Sequence, residues 1–139
     1  MSLSWPPALV QSIARRRAVV LIGSGVSANA KTDAGARPPT WGKFLQHSYK
    51  RLRRRRPYIE SALARHSYLE ACDYLKGEYN ERWPEVIRES FVTPKFRASG
   101  IHKAIFDLDC RIVASLNFDK IYENYAIAAS ENTIVVKNY

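Results

Sequence analysis

A short apolar run followed at once by a glycine loop constrains the fold of this chain more than any other feature. Residues 18–22, Ala-Val-Val-Leu-Ile, are rich in β-branched side chains and predict a buried parallel strand. The loop that follows, Gly23-Ser24-Gly25-Val26-Ser27-Ala28, fits the pattern G-x-G-x-x-G/A with alanine in the last place. In such loops the first glycine allows a tight turn and the second lets backbone N–H groups approach a pyrophosphate. The loop is therefore a candidate dinucleotide site.

Of three other interpretations of the loop, two stay open at this point. Residues 25–32, Gly-Val-Ser-Ala-Asn-Ala-Lys-Thr, nearly spell a P-loop, but Ala30 stands where the second glycine is required. A serine hydrolase elbow is excluded, because Ser24 has glycine on both sides and G-x-S-x-G is absent. The simplest alternative is a glycine turn that binds no ligand.

The remaining pattern predicts an α/β fold with a Rossmann-like parallel sheet. Further strands are predicted at 111–115 and 133–137, and Thr40 is a candidate N-cap for the first long helix. Helices are predicted at 8–14, 41–55, 58–75, 83–91, 101–106 and up to about residue 129. The four helices from 41 to about 107 form a helical insertion between the first two strands. Because such sheets usually carry about six strands, we expect residues 1–139 to be the N-terminal part of one domain, incomplete at the C-terminus.

Composition and charge narrow the class of protein. The 139 residues contain no apolar run long enough to span a membrane and no secretory signal, and the lone Cys72 and Cys110 suit a reducing cytoplasm. Neither cysteine has a neighbouring ligand, so we expect no metal site. The net charge of +9 is uneven, since residues 1–56 carry 12 Lys/Arg against one acid. The run at 50–56 is a candidate nucleic-acid patch, but a solvated basic face is favoured.

A second polar motif follows the second predicted strand. Residues 115–119 read Ser-Leu-Asn-Phe-Asp, which places Asn117 and Asp119 at the carboxyl end of a parallel strand, where α/β folds bind ligands. An isolated Asn-x-Asp is more often a cap for the helix that follows. Both interpretations predict a turn here, and only the first predicts a ligand.

Three motifs in order resemble the sirtuin-like domain, in particular its divergent branch in bacterial antiphage defence proteins. They are the glycine loop Gly23-Ser24-Gly25-Val26-Ser27, then Pro39-Thr40-Trp41, then the motif of Asn117 and Asp119, with the helical insertion between them. The resemblance spans about residues 17–137.

The resemblance implies a cytoplasmic NAD-hydrolysing domain that cleaves NAD to nicotinamide and ADP-ribose. Asn117 would be the catalytic asparagine, and Asp119 would face the nicotinamide carboxamide. The implied NAD-binding residues are Gly23, Ser24, Gly25, Val26, Ser27, Ala28 and Trp41. The implied partners are a second copy of the chain or a sensor domain.

The sequence departs from the family in ways that favour NAD hydrolysis over deacylation. The paired zinc cysteines and the aspartate-phenylalanine-arginine set of sirtuin deacylases are absent. The family's catalytic histidine lies on a later strand than this chain contains, and His47, His66 and His102 are not placed to substitute. We therefore expect little turnover by this fragment. A catalytically silent NAD- or nucleotide-binding interaction module and a basic nucleic-acid-binding domain remain the alternatives.

Overall fold

A computed structural model describes residues 4–137 as a small parallel sheet combined with a helical insertion. Among the described helices none is long and apolar enough to cross a membrane. The elements in chain order are α1 Pro7–Ala14, β1 Val19–Ile22, α2 Ser24–Ser27, α3 Trp41–Lys50, α4 Pro57–Ala64, α5 Tyr68–Tyr79, a 3-10 turn Asn80–Arg82, α6 Trp83–Phe91, α7 Gly100–Asp107, β2 Ile112–Ser115 and α8 Ile121–Ala129.

The two strands are parallel neighbours, which confirms the α/β class. Val19 lies opposite Ile112, and Ile22 lies opposite Ser115. Both strands therefore end at the same edge of the sheet, and the glycine loop and the Asn117 motif begin there side by side. One face of the sheet remains exposed, since Val19, Leu21 and Ile112 are each more than half exposed. The described residues form two strands, so the expected larger Rossmann-like sheet is not present in them.

The predicted third strand at 133–137 is wrong. Glu131 and Asn132 adopt left-handed backbone conformations, with φ values of 53° and 67°, and turn the chain away at the end of α8. The backbone N–H of Thr133 then donates to the Ser130 carbonyl, and that of Ile134 to the Ser130 hydroxyl. Because these N–H groups donate to groups at the end of α8, they do not pair with a neighbouring strand. The β-branched side chains of this segment therefore remain exposed.

The long helix predicted over 58–75 is two helices, α4 and α5. His66 has a φ of 58°, and the N–H of Ser67 donates to the carbonyl of Ala62, which closes α4 with a left-handed turn. The first long helix also ends earlier than predicted, at Lys50 rather than near residue 55. A continued helix would place Arg54 over Lys50 and Arg55 over Arg51, and like charges four residues apart destabilise a helix.

The helices of the insertion form the main apolar core. Phe44 and Leu45 of α3, Ile59 of α4, Leu75 of α5 and Val86 of α6 are almost fully buried against one another. Aromatic side chains extend this core, because Trp41, Tyr49 and Tyr68 pack on its surface. The rings of Tyr58 and Tyr74 lie outside this core and pair with each other at 4.9 Å on the exposed side.

Three glutamates form hydrogen-bond networks on the surface of the insertion. Each accepts hydrogen bonds from one arginine and one tyrosine hydroxyl. The three sets are Glu60 with Arg55 and Tyr49, Glu78 with Arg56 and Tyr58, and Glu70 with Arg65 and Tyr74. The bonds to Glu60 and Glu78 favour the ionised carboxylate and lower the pKa values of these two residues. The pKa of Glu70 is also lowered, first by a hydrogen bond with the Ser67 side chain and then by the bond from Tyr74.

We expect the chain to lose stability in acid for this reason. A carboxyl group whose pKa is lowered by folding stabilises the protein above its ordinary value of 4.5, and this stabilisation is lost as the pH falls through the folded value. The midpoint of urea unfolding, followed by circular dichroism, should fall between pH 5 and pH 3. Glu78→Gln should have a lower midpoint at pH 7 and a smaller decrease in acid. A Glu78→Gln protein with the wild-type pH dependence would contradict this account.

Candidate functional site

The two polar motifs begin next to each other at the carboxyl edge of the sheet. The backbone N–H of Leu116 donates to the carbonyl of Ile22 at 3.2 Å and extends the strand pairing by one residue. Beyond this point the chain turns into α2 on one side and toward α8 on the other. The sheet register, set by the alternating apolar strands, thus fixes how the motifs face each other.

A direct hydrogen bond joins the motifs. Asn117 Nδ2 donates to Ser27 Oγ at 2.8 Å, across 90 positions of sequence. Ser27 is buried, and the backbone N–H of Asn117 also donates to Ser115 Oγ at 3.3 Å. The first bond orients the Asn117 carboxamide, and the second holds the backbone of the same residue. The second carboxamide atom, Oδ1, is not used by the bond to Ser27.

The motifs enclose a crevice of about 360 Å³. Every predicted site residue except Val26 lines it, so the glycine loop, Trp41, Asn117 and Asp119 meet in one place. The motif Pro39-Thr40-Trp41 also reaches the crevice, at the start of α3. The Thr40 hydroxyl accepts the Lys43 N–H and caps this helix, as predicted. The volume lies in the range of small-molecule sites.

Aromatic side chains form one wall of the crevice. The rings of Trp41 and Phe118 meet edge to face at 5.1 Å, and Phe91 lies 6.0 Å from Phe118. Sequence reasoning identified Trp41 but missed Phe91 and Phe118 as lining residues. The sequence did contain a signal for Phe118, because this residue stands between Asn117 and Asp119. It contained none for Phe91, which reaches the crevice only through the packing of α6. Flat apolar walls beside a few polar groups suit a planar heterocyclic ligand.

The glycines of the loop face open space. A Cβ atom built on Gly23 or Gly25 meets no protein atom within 4 Å. The protein itself therefore does not require glycine for space at either position, and both glycines line the crevice. The first N–H groups of a helix such as α2 have no partner within the helix, so they remain available to a ligand. The short helix α2 was not expected from the sequence.

The geometry of residues 25–32 does not form a P-loop. α2 begins at Ser24 and ends at Ser27, before the lysine that would have to reach a phosphate. Lys31 instead exchanges backbone hydrogen bonds with Arg97, and Ala30 is fully buried. Lys31 does not line the crevice.

Asp119 bonds to the start of α8 and also lines the crevice. Its Oδ1 atom accepts the backbone N–H of Ile121 at 3.1 Å and so caps the start of α8. The residue is 4% exposed, yet it also lines the crevice. The capping bond holds the carboxylate at the crevice wall.

None of the three histidines lines the crevice. His47 lies on a separate cavity together with Arg51 and Glu89, and His66 sits in the turn between α4 and α5. His102 is at the start of α7, as expected, where Ser99 and His102 form a capping box. It is also fully buried, which the sequence did not indicate. Within residues 4–137 no three His, Cys, Asp or Glu side chains are grouped as metal ligands.

The basic run at 50–56 is partly neutralised by the insertion. Arg51 pairs with Glu89 at 2.7 Å, Arg55 with Glu60 at 2.8 Å and Arg56 with Glu78 at 2.6 Å. The run follows the C-terminal end of α3, whereas Trp41 at the other end of that helix lines the crevice. A ten-residue helix is about 15 Å long, so the run lies well away from the glycine loop.

We therefore expect glutamine at positions 53–56 to leave ligand binding at the crevice little changed. Arg55→Gln and Arg56→Gln should lower the urea midpoint, because each breaks an ion pair with a glutamate. Arg53→Gln and Arg54→Gln serve as matched controls, since neither residue takes part in the ion pairs described for this run. Titration calorimetry with NAD at low salt would measure the affinity. A large loss of affinity in any of the four variants would show that the run reaches the ligand.

Comparisons with protein-family models, curated proteins and solved structures find no match to this chain.

Proposed function

We propose that this chain is an NAD-binding domain of the sirtuin-like kind, whose chemistry is hydrolysis of NAD to nicotinamide and ADP-ribose. The observation that supports this most is the bond between Asn117 and Ser27, which joins the glycine loop to the second motif inside one crevice. A glycine turn without a ligand would not require a polar motif from a distant part of the chain.

In this proposal the glycine loop holds the pyrophosphate. Gly23 and Gly25 leave space for the ligand to approach the backbone, and the first N–H groups of α2 donate to the phosphate oxygens. Ser24 and Ser27 add hydroxyl groups on the same side. The aromatic wall of Trp41 and Phe118 packs against a planar ring of the dinucleotide.

The second motif acts at the nicotinamide end. The bond from the ribose C1′ atom to the nicotinamide nitrogen breaks, a water oxygen bonds to C1′, and a proton is released. Positive charge develops on the ribose as the bond breaks, and fixed dipoles such as the Asn117 carboxamide stabilise it better than mobile water does. Asp119 accepts a hydrogen bond from the nicotinamide carboxamide.

A second candidate is a silent NAD- or nucleotide-binding module that acts through interactions. It is favoured by the finding that no histidine of the described residues lines the crevice. Binding would then occur without cleavage. A nucleic-acid-binding domain has less support, because three arginines of the basic run are held by glutamates.

The cellular setting follows from the resemblance alone. We propose a cytoplasmic protein of antiphage defence that works as a homo-oligomer or beside a sensor partner.

The test measures binding and turnover separately on the 139-residue chain. Titration calorimetry should show saturable NAD binding, and chromatography should show little nicotinamide release. Binding without release in every form of the domain would favour the silent module. Absence of NAD binding would contradict both candidates, and DNA affinity that falls steeply with salt would then support the nucleic-acid alternative.

A further inference from the structure

His102 is a fully buried histidine to which the proposed chemistry gives no role. Its Nδ1 atom accepts the backbone N–H of Ser99 at 3.1 Å. A ring nitrogen that accepts this bond carries no proton, so the proton of the neutral ring is on Nε2. Nε2 is buried and has no hydrogen-bond partner among the described residues. Because a buried donor without a partner costs free energy, this N–H calls for an explanation.

His102 belongs to α7, and Asp119 lies directly before α8. Helices α7 and α8 pack together, with the rings of Phe106 and Tyr125 5.9 Å apart. Burial lowers the pKa of His102, and the nearby charge of Asp119 raises it by a smaller amount, so the ring is neutral at pH 7. Asp119 is itself buried at the crevice wall. An unused donor and a crevice carboxylate thus share one interior region.

We propose that His102 is a positioning residue for Asp119, whose carboxylate receives the His102 Nε2–H when the crevice is occupied. The Ile121 N–H already holds Oδ1 of Asp119. A second hydrogen bond, from His102 Nε2–H, would leave the Asp119 carboxylate no freedom to rotate. It therefore determines how the carboxylate faces the ligand. The inference rests on the proposed function, since it assigns Asp119 to the nicotinamide end of NAD.

Two variants and two ligands test this role on the 139-residue chain. His102→Leu removes the donor at similar volume, and His102→Gln keeps an amide N–H near the position of Nε2. Titration calorimetry compares NAD with ADP-ribose, which lacks nicotinamide. His102→Leu should weaken NAD binding about tenfold, as expected for loss of a hydrogen bond to a charged group, and change ADP-ribose binding less than about twofold. His102→Gln should restore most of the NAD affinity. Equal losses for both ligands, or no loss for NAD, would overturn the proposal.

Nuclear magnetic resonance of the ligand-free protein tests the requirement that the two groups are neighbours, even if NAD does not bind or His102→Leu does not fold. The ring nitrogens of His102 should show the proton on Nε2, and Asp119→Asn should move the Nε2–H resonance. Asp107→Asn, on the exposed end of α7, is the matched control and should leave it in place. A His102 resonance that does not respond to Asp119→Asn would overturn the inference, whereas failure of wild-type NAD binding would overturn the proposed function.

Discussion

A Gly25→Ala protein is expected to fold like the wild type and to bind NAD at least tenfold more weakly, the equivalent of one lost hydrogen bond to a charged group. An added Cβ at this position meets nothing within 4 Å, and Gly25 lines the crevice, so the added methyl group takes space that the ligand would use. Alanine in a helix is favoured over glycine by about 0.5–1 kcal/mol, so α2 should not be weakened. Titration calorimetry would measure the affinity, and urea unfolding the stability.

Gly77→Ala is the matched control for this prediction. Gly77 lies within α5, has equally open surroundings and does not line the crevice. Its replacement should raise the free energy of unfolding by about 0.5–1 kcal/mol and leave NAD affinity unchanged. Wild-type NAD affinity in Gly25→Ala would show that the loop does not hold the pyrophosphate.

Asn117→Ala should reduce nicotinamide release at least about a hundredfold in any form of the domain that cleaves NAD, as removal of a fixed transition-state dipole does in other enzymes. The fold should persist, because the side chain makes one described bond, to Ser27, and such a bond contributes about 1 kcal/mol. Ser27→Ala should have a smaller effect, since it frees the carboxamide without removing it. Chromatography of nicotinamide measures the rate, and circular dichroism checks the fold.

Asn124→Ala provides the control, because Asn124 is an exposed residue of α8. It should release nicotinamide at the wild-type rate. Full activity in a folded Asn117→Ala protein would remove this residue from the mechanism.

Local patterns predicted the parts of the fold that local interactions determine. The apolar runs before Gly23 and Leu116 became β1 and β2, and α6 has the predicted bounds. The run at 133–137 has the same β-branched character, but a strand also needs a partner, and here the left-handed turn after α8 directs the backbone N–H groups to Ser130. The break at His66 is likewise a backbone conformation that composition does not reveal.

The part of the candidate site that follows from the order and direction of the strands was predictable from the sequence. Parallel strands end at one edge, so Gly25 and Asn117 could be expected to meet, and both line the crevice. The contribution of Phe91 and the burial of His102 could not be expected in the same way. Each depends on how α6 or α7 packs against neighbouring elements, which is a property of the tertiary structure rather than of any short segment.

The position of the two strands on either side of the insertion has a consequence for the order of folding. Ser27 and Asn117 are 90 positions apart, and the entropy of closing so long a loop opposes their contact in an unordered chain. The insertion has its own apolar core, made by helices close in sequence. We expect this core to form first and to shorten the effective loop, so that the sheet edge and the crevice assemble last. Amide hydrogens of β1 and β2 should then exchange with solvent sooner than those of α3 and α5, and a bound ligand should slow the exchange of the strands most.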